Sequence, residues 1–208
     1  MKFLIIDDHA IVRKGLAQLL KEEFPDAEIA LAANDSEVYE KTRNKIWDVI
    51  LLDISMPGRN GMDILKQLRA DNVKAPILVL SMHQEEVYGP RVLKAGANGF
   101  LNKESATEEL IIAVHRVLSG RKYISGTLAE KLAEGIGEHS DKQAHELLSD
   151  REMQVLQMLA SGKTVSDIAA ELSLSVNTIS TYRNRILEKL LLHNNAELTR
   201  YAMDHSLV

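Results

Sequence analysis

The chain has 208 residues, 45% hydrophobic and 26% charged, with a net charge of −5 and no cysteine. These values describe an ordinary globular protein with enough apolar mass for a core, and they exclude thiol catalysis, disulfides, cysteine-ligated metals and general coating of nucleic acid. No apolar run approaches the roughly 18–20 residues that span a bilayer, and Met1-Lys2 leads directly into a strand-like run rather than a signal peptide, so a cytoplasmic setting is expected.

Short runs rich in Ile, Leu and Val stand at Phe3–Ile6, Ile29–Ala32, Val49–Leu52, Ile77–Leu80 and Gly99–Leu101. Between them apolar residues recur at helical spacing: Ile11, Leu16, Leu19 and Leu20; Ile64, Leu65 and Leu68; Val87, Val92 and Leu93; Leu110, Ile111, Val114 and Leu118. Runs apolar on both faces and separated by helices predict a parallel sheet covered on each side. Five such units make residues 1–120 an α/β doubly wound domain of flavodoxin-like type. Ser105-x-x-Glu108 predicts a capping box on the fifth helix, and Ser119-Gly120 its end. Residues 121–146 are polar and glycine-containing, a linker with a short helix around Leu128 and Leu132. Residues 147–208 contain no proline and no strand-like run, so they are expected to be all-helical. Ser149-x-x-Glu152 and Thr164-x-x-Asp167 read as capping boxes, Gly162 as a stop, and Ser175 as the cap of a helix with Ile179, Ile186 and Leu190 inward. A last helix is expected from about Asn195 to Asp204.

The chemistry of the first domain gathers at its strand ends. The first strand ends in Asp7-Asp8 and the third in Asp53. In the order 2-1-3-4-5 those strands are neighbours, and ligands of open parallel sheets bind at strand carboxyl ends. Like charges about 4 Å apart repel by roughly 4 kcal/mol at an effective dielectric near 20, so a hard cation such as Mg²⁺ is expected among them. Ser81 ends the fourth strand with a hydroxyl, and Lys103 follows the fifth with a point charge suited to a phosphoryl oxygen. Singly, each residue reads as a cap or a solvated side chain. Together, at one edge of one sheet, they read as a Mg²⁺-assisted phosphoryl site.

Asp7-Asp8, D-I-S-M-P-G-R-N-G with Asp53, Ser81, and G-F-L-N-K with Lys103 resemble the receiver domain of two-component response regulators. The resemblance implies that Asp53 accepts a phosphoryl group from a sensor histidine kinase. It implies Mg²⁺ on Asp8, Asp53 and the Ser55 backbone carbonyl with Asp7 in support, and an acyl phosphate held by Ser81 and Lys103. Phe100 matches the switch aromatic: phosphorylation would draw Ser81 inward and let Phe100 fill the vacated space, with the fourth helix and fifth strand as the readout face. Pro57 and Gly61 are expected to shape the loop beside Asp53, Gly61 at positive φ. His83 is a candidate for controlling water access. Glu104 stands where many receivers have proline, so no cis bond is expected there, and Asn102 makes the output face more polar. Ser55 departs from the haloacid-dehalogenase pattern of a second acid two residues past the nucleophile, and D-D-H-A would repel a flavin phosphate. No catalysis beyond the domain's own phosphoryl transfer and dephosphorylation is expected.

In the helical module, Thr164–Leu190 has helix–turn–helix spacing, with Ala169 and Ala170 permitting close approach. The outer face of its second helix shows Asn177, Ser180, Thr181, Asn184, Arg185 and Glu188. L-S-D-R-E and G-K-T-V-S-D-I-A-A-E-L-S-L-S-V-N-T-I-S-T-Y-R-N-R-I-L-E-K-L resemble the LuxR-type DNA-binding domain, so the whole chain resembles a NarL/FixJ-type transcription regulator. By position, Ser180, Thr181 and Asn184 would read base edges of double-stranded DNA, while Asn177, Arg183, Arg185 and Lys189 would contact phosphate. Residues 147–208 hold six Lys+Arg against seven Asp+Glu, which predicts modest affinity per monomer and a homodimer on paired half-sites. Leu198 and Tyr201–Ala202 read equally as dimer contacts and as core. The expected mechanism is phosphorylation of Asp53, a weakened contact between the two domains, and dimeric DNA binding. The alternative is an orphan regulator controlled without phosphorylation.

Overall fold

A computed structural model describes residues 1–43, 45–56, 60–82, 84–137 and 143–208. Pro57 and His83 lie outside the described residues. The chain divides into two compact units, Met1–Gly137 and Glu138–Val208.

The first unit alternates strand and helix: β1 (Lys2–Ile6), α1 (Ala10–Glu23), β2 (Glu28–Ala32), α2 (Asp35–Arg43), β3 (Val49–Asp53), α3 (Gly61–Ala70), β4 (Ile77–Ser81), α4 (Glu85–Lys94), β5 (Gly99–Asn102), α5 (Ala106–Leu118) and α6 (Gly126–Gly137). The strands form one parallel sheet in the order β2-β1-β3-β4-β5. β3 and β4 are buried along their whole length, as strands covered on both faces must be. Phe3, Ile5, Leu51, Leu78, Leu80 and Leu101 face one layer with Leu16 and Leu20 of α1 and Leu110 and Val114 of α5. Registers Ile6↔Leu52, Asp53↔Leu80 and Ser81↔Asn102 bring the carboxyl ends of β1, β3, β4 and β5 to one edge.

Two local expectations are corrected. Ser105 is not a side-chain cap: its backbone is already helical (φ −92°, ψ −3°), and its hydroxyl donates to Asn102 O at 3.3 Å. Gly61 is not in the left-handed region. Its hydrogen faces the Asp53–Ile54 backbone, where a Cβ would stand 2.6 Å from Ile54 Cα and closer still to the Asp53 carbonyl oxygen. Gly61 is required for close approach.

The second unit holds a 3₁₀ turn (Ala144–Leu147) and α7 (Asp150–Ala160), α8 (Val165–Glu171), α9 (Val176–Leu190) and α10 (Asn195–Asp204). The capping boxes Ser149/Glu152 and Thr164/Asp167 are both present, and the Ser175 side chain accepts from Thr178 N. Gly162 ends α7 with φ +86°, the conformation its missing Cβ permits. The core joins Met153, Leu156, Ile168, Ile179, Ile186, Leu198 and Ala202, all fully buried. Leu198 and Ala202 are therefore core residues and not a surface for a second copy, whereas Tyr201 remains partly exposed. Ala169 lies in the helix–helix contact; Ala170 faces outward.

Candidate functional site

β1 and β3 are adjacent, so the residues following them meet. Asp7 and Asp53 are both fully buried, and Lys103 Nζ lies between them, 2.7 Å from Asp7 Oδ2 and 2.8 Å from Asp53 Oδ2. The Lys103 amide donates to Ser81 O at 2.8 Å, which extends the β4–β5 ladder by one residue and aims the lysine across the sheet edge. Ser55 N donates to Asp53 Oδ1 at 2.9 Å, closing a local turn that fixes the carboxylate. Ser81 is fully buried beside it. Phe100 is 1% exposed, so in this conformation its ring lies inside the first unit.

The electrostatics follow from burial. Burial, reinforced by Asp7, raises the Asp53 pKa above the ordinary carboxylate value, against the opposing pull of Lys103 and the Ser55 amide. Burial also works against the Lys103 ammonium, but Asp53 and then Asp7 outweigh it and hold the lysine above its usual value. One cation faces several carboxylates. Asp8 Oδ1, Asp53 Oδ2 and Ser55 Oγ are all buried: Ser55 Oγ has no hydrogen-bond partner, while Asp53 Oδ2 faces the Lys103 ammonium and Asp8 Oδ1 the His9 ring. Ligand atoms of Asp7, Asp8, His9 and Asp53 all lie within 4.8 Å of one another. Hard oxygen donors with unsatisfied lone pairs fit a divalent cation such as Mg²⁺.

His9 was not singled out by sequence reasoning. Its Nδ1 lies 3.2 Å from Asp7 Oδ1 and 3.0 Å from Asp8 Oδ1, and its amide donates to Asp7 Oδ1 at 2.7 Å. The signal was its place directly after the acidic pair. A separate cavity of about 260 Å³ between α2 and α3, lined by Val38, Tyr39, Ile64 and Leu68, includes none of these carboxylates.

In the second unit, Asn177, Thr181, Asn184 and Arg185 are exposed on one face of α9, with Ser180 half-buried beside them and Glu188 among them. This is the i, i+3, i+4, i+7 stripe of a single helix face. The Thr181 hydroxyl donates to Asn177 O at 2.9 Å, leaving its lone pairs outward. Arg183 and Lys189 lie apart from that stripe. Arg183 Nε donates to Asn195 Oδ1 at 2.6 Å, fastening α9 to the start of α10. Lys189 Nζ pairs with Glu152 Oε2 at 2.6 Å, and Glu152 is 3% exposed. Val176, 48% exposed, opens the same helix.

Burial raises the Glu152 pKa, but hydrogen bonds from Lys189 and from Ser149 pull harder and hold it below the ordinary value. A carboxylate depressed in the folded state contributes stability that is complete above its unfolded pKa and is lost as pH falls through the folded one. The helical unit is therefore expected to weaken below about pH 4.5, the ordinary value for Glu. Lys189→Ala should lower its stability at neutral pH by about 1–3 kcal/mol and flatten that acid slope. Amide exchange of α7 and α9 in the full chain across pH reads both effects. A lysine acting only on phosphate would leave them unchanged.

The family models agree with this division. Residues 3–115 match the response regulator receiver domain, and residues 146–202 match the luxR family of bacterial regulatory proteins. The chain is 32% identical over 205 residues to the response regulator UvrY of Escherichia coli K12, covering 98% of this chain and 94% of the relative. It also resembles RcsB from Salmonella enterica serovar Typhimurium bound to promoter rprA in the presence of phosphomimetic BeF₃⁻, with TM-score 0.66, 25% identity and 97% of each chain covered. A structure of two RcsB dimers bound to two parallel DNAs matches with TM-score 0.59, 26% identity and 98% of each chain covered. A receiver unit with a carboxylate pocket, followed by a helical unit with a polar helix face and matched along almost its full length by such a relative, places the chain among the two-component response regulators of NarL/FixJ type, with a LuxR-type DNA-binding domain.

Proposed function

We propose that Asp53 stores a phosphoryl group received from a sensor histidine kinase and that the phosphorylated protein binds DNA as a dimer to regulate transcription in the cytoplasm. The carrying observation is Asp53 itself: a fully buried strand-end carboxylate, 2.8 Å from Lys103 and oriented by the Ser55 amide. In the transfer, an Asp53 oxygen forms a bond to phosphorus as the donor's P–N bond breaks, and the leaving imidazole keeps its electron pair and takes up a proton. Lys103 shifts its charge from the carboxylates to the phosphoryl oxygens, and Ser81 donates its hydroxyl to one of them. Mg²⁺, held by Asp8, Asp53 and the Ser55 carbonyl, would neutralise charge on the transferred group when bound. Burial keeps bulk water from the mixed anhydride, so the product is a stored signal rather than a turnover intermediate.

On the DNA side, Ser180, Thr181 and Asn184 read base edges while Asn177 and Arg185 meet phosphate, with Arg183 contributing only where its tie to Asn195 opens. The RcsB dimers on DNA support a paired arrangement for this chain. With Leu198 and Ala202 in the core, the outward face of α10, including Arg200 and Met203, is what remains there for a second copy.

Incubation with acetyl phosphate and Mg²⁺ should add the mass of one phosphoryl group to the protein and none to Asp53→Asn. Selection of bound genomic fragments should then yield paired half-sites, enriched about tenfold or more by phosphorylation, on the order of the 1–3 kcal/mol of coupling between linked sites. DNA selection that is identical with and without a measured mass gain would favour a regulator controlled without phosphorylation.

A further inference from the structure

An apolar side chain stands in solvent at the head of the helix that carries the polar face. Val176 is the first residue of α9 and is 48% exposed. Ile179, Ile186, Leu187 and Leu190 of the same helix are buried, so Val176 is the aliphatic residue of α9 that the core leaves outside. Its backbone is well held. Ser175 Oγ accepts from Thr178 N at 3.0 Å and lies 2.7 Å from Thr178 Oγ1, which closes the first turn around it. Val176, Ser180 and Asn184 then follow at i, i+4 and i+8, a single row along the helix beside Asn177 and Thr181. A valine thus heads the row on which two of the base-reading side chains stand.

The chemistry of that row suits adenine and thymine. In the major groove adenine offers N7 and N6 to an amide, thymine offers its C5-methyl group to an apolar side chain, and guanine is read by Arg or Lys on O6 and N7. Asn184 carries the amide and Val176 the methyl groups, while the row holds neither Arg nor Lys. Of the cations on α9, Arg183 and Lys189 are tied to Asn195 and Glu152, and Arg185 lies more than two turns beyond Val176. In a helix–turn–helix the first residues of the second helix meet base edges, which is where Val176 stands. Against a phosphate a valine gains nothing. Against a thymine methyl group, both apolar surfaces leave water.

We infer that Val176 is a specificity-determining residue that packs on the C5-methyl group of a thymine in each half-site. The inference rests on the DNA-binding reading above, and adds to it a base and the side chain that selects it. The contact involves no hydrogen bond, so it discriminates only against a base that lacks the methyl group at that place in the groove.

Uracil substitution tests it, because uracil differs from thymine only by the missing methyl group. Duplexes are selected from a random-sequence pool by the full-length protein treated with acetyl phosphate and Mg²⁺, and each thymine of the selected half-site is then replaced in turn. At one position the replacement should weaken wild-type binding about fourfold, the value of one buried methyl-sized group. Val176→Ala should bind the thymine duplex more weakly than the wild type and lose nothing further on that replacement. Its own selection should drop the thymine there and keep the rest of the half-site. Arg185→Ala should weaken both duplexes alike and keep the fourfold difference. Wild-type binding indifferent to uracil at every position overturns the thymine contact and leaves DNA binding standing. So does a fourfold difference that survives in Val176→Ala. A pool from which no sequence is enriched overturns both.

Discussion

Lys103→Met should lower the stability of the first unit by about 3–5 kcal/mol at neutral pH in Mg²⁺-free buffer. The lysine lies within 2.8 Å of two carboxylates that are both fully buried, and its removal leaves their charge uncompensated in a dry site. Urea unfolding of the full chain, followed on the first unit, reads the loss. Asp53→Asn in the Lys103→Met background should recover part of it, because one charge leaves the crowded cluster; contacting groups of this kind couple by about 0.5–3 kcal/mol. Mg²⁺ should also recover part by mass action, about 2.7 kcal/mol at a hundredfold excess over its Kd. A variant within 1 kcal/mol of wild type, unresponsive to Mg²⁺, would contradict the charge arrangement described for Asp7, Asp8 and Asp53.

The second large effect is expected at Gly61. A methyl group there meets backbone, with Ile54 Cα at 2.6 Å and the Asp53 carbonyl carbon at 3.0 Å, so no flexible side chain can move aside. Gly61→Ala must push α3 away from the end of β3 or displace Asp53 itself. The cost of such overpacking is on the order of 3 kcal/mol. Misplacing the acceptor by about 1 Å should slow phosphoryl incorporation roughly a hundredfold. Gly15→Ala is the control, since nothing lies within 4 Å of a Cβ at that exposed helical position. It should gain about 0.5–1 kcal/mol and leave incorporation unchanged. Equal incorporation rates in the two variants would show that the Gly61 contact does not position Asp53.

Features with a repeating local cause were readable without coordinates. Phe3–Ile6 and Val49–Leu52 are apolar at every position, which only a strand covered on both faces tolerates, and that pattern predicted the parallel sheet, its order being the one expected of the flavodoxin-like type. Ser149 and Thr164 carry a polar cap with an acid three residues on, and both boxes are present. Ser105-x-x-Glu108 has the same spelling but is entered from a backbone already helical, so its hydroxyl turns back to Asn102. The spacing specifies a possible cap; the approach of the chain decides whether it is used. Gly61 was identified as special for a reason that proved different, since a positive φ and a close backbone approach leave the same glycine in the sequence.

The two cations expected on DNA phosphate illustrate the limit further. Arg183 and Lys189 carry the right charge on the right helix, yet Asn195 and Glu152 come from segments distant in sequence, and no periodicity within α9 reports them. Likewise, nothing in the run around Leu128 tells whether its apolar face meets solvent, a partner or α4, because that depends on Gly89 leaving room for it.

By itself, the sequence determined the alternation of strands and helices, the acids and lysine at the strand ends, and the polar stripe from Asn177 to Glu188, because each follows from side-chain period along a single element. Tertiary structure alone decided that Lys103 is shared between Asp7 and Asp53, that His9 joins the acidic cluster, that Leu198 and Ala202 are core, and that α6 lies on α4. Those are distances between residues far apart in the chain, set by how whole elements pack, and packing is a property of pairs of surfaces that no single segment encodes.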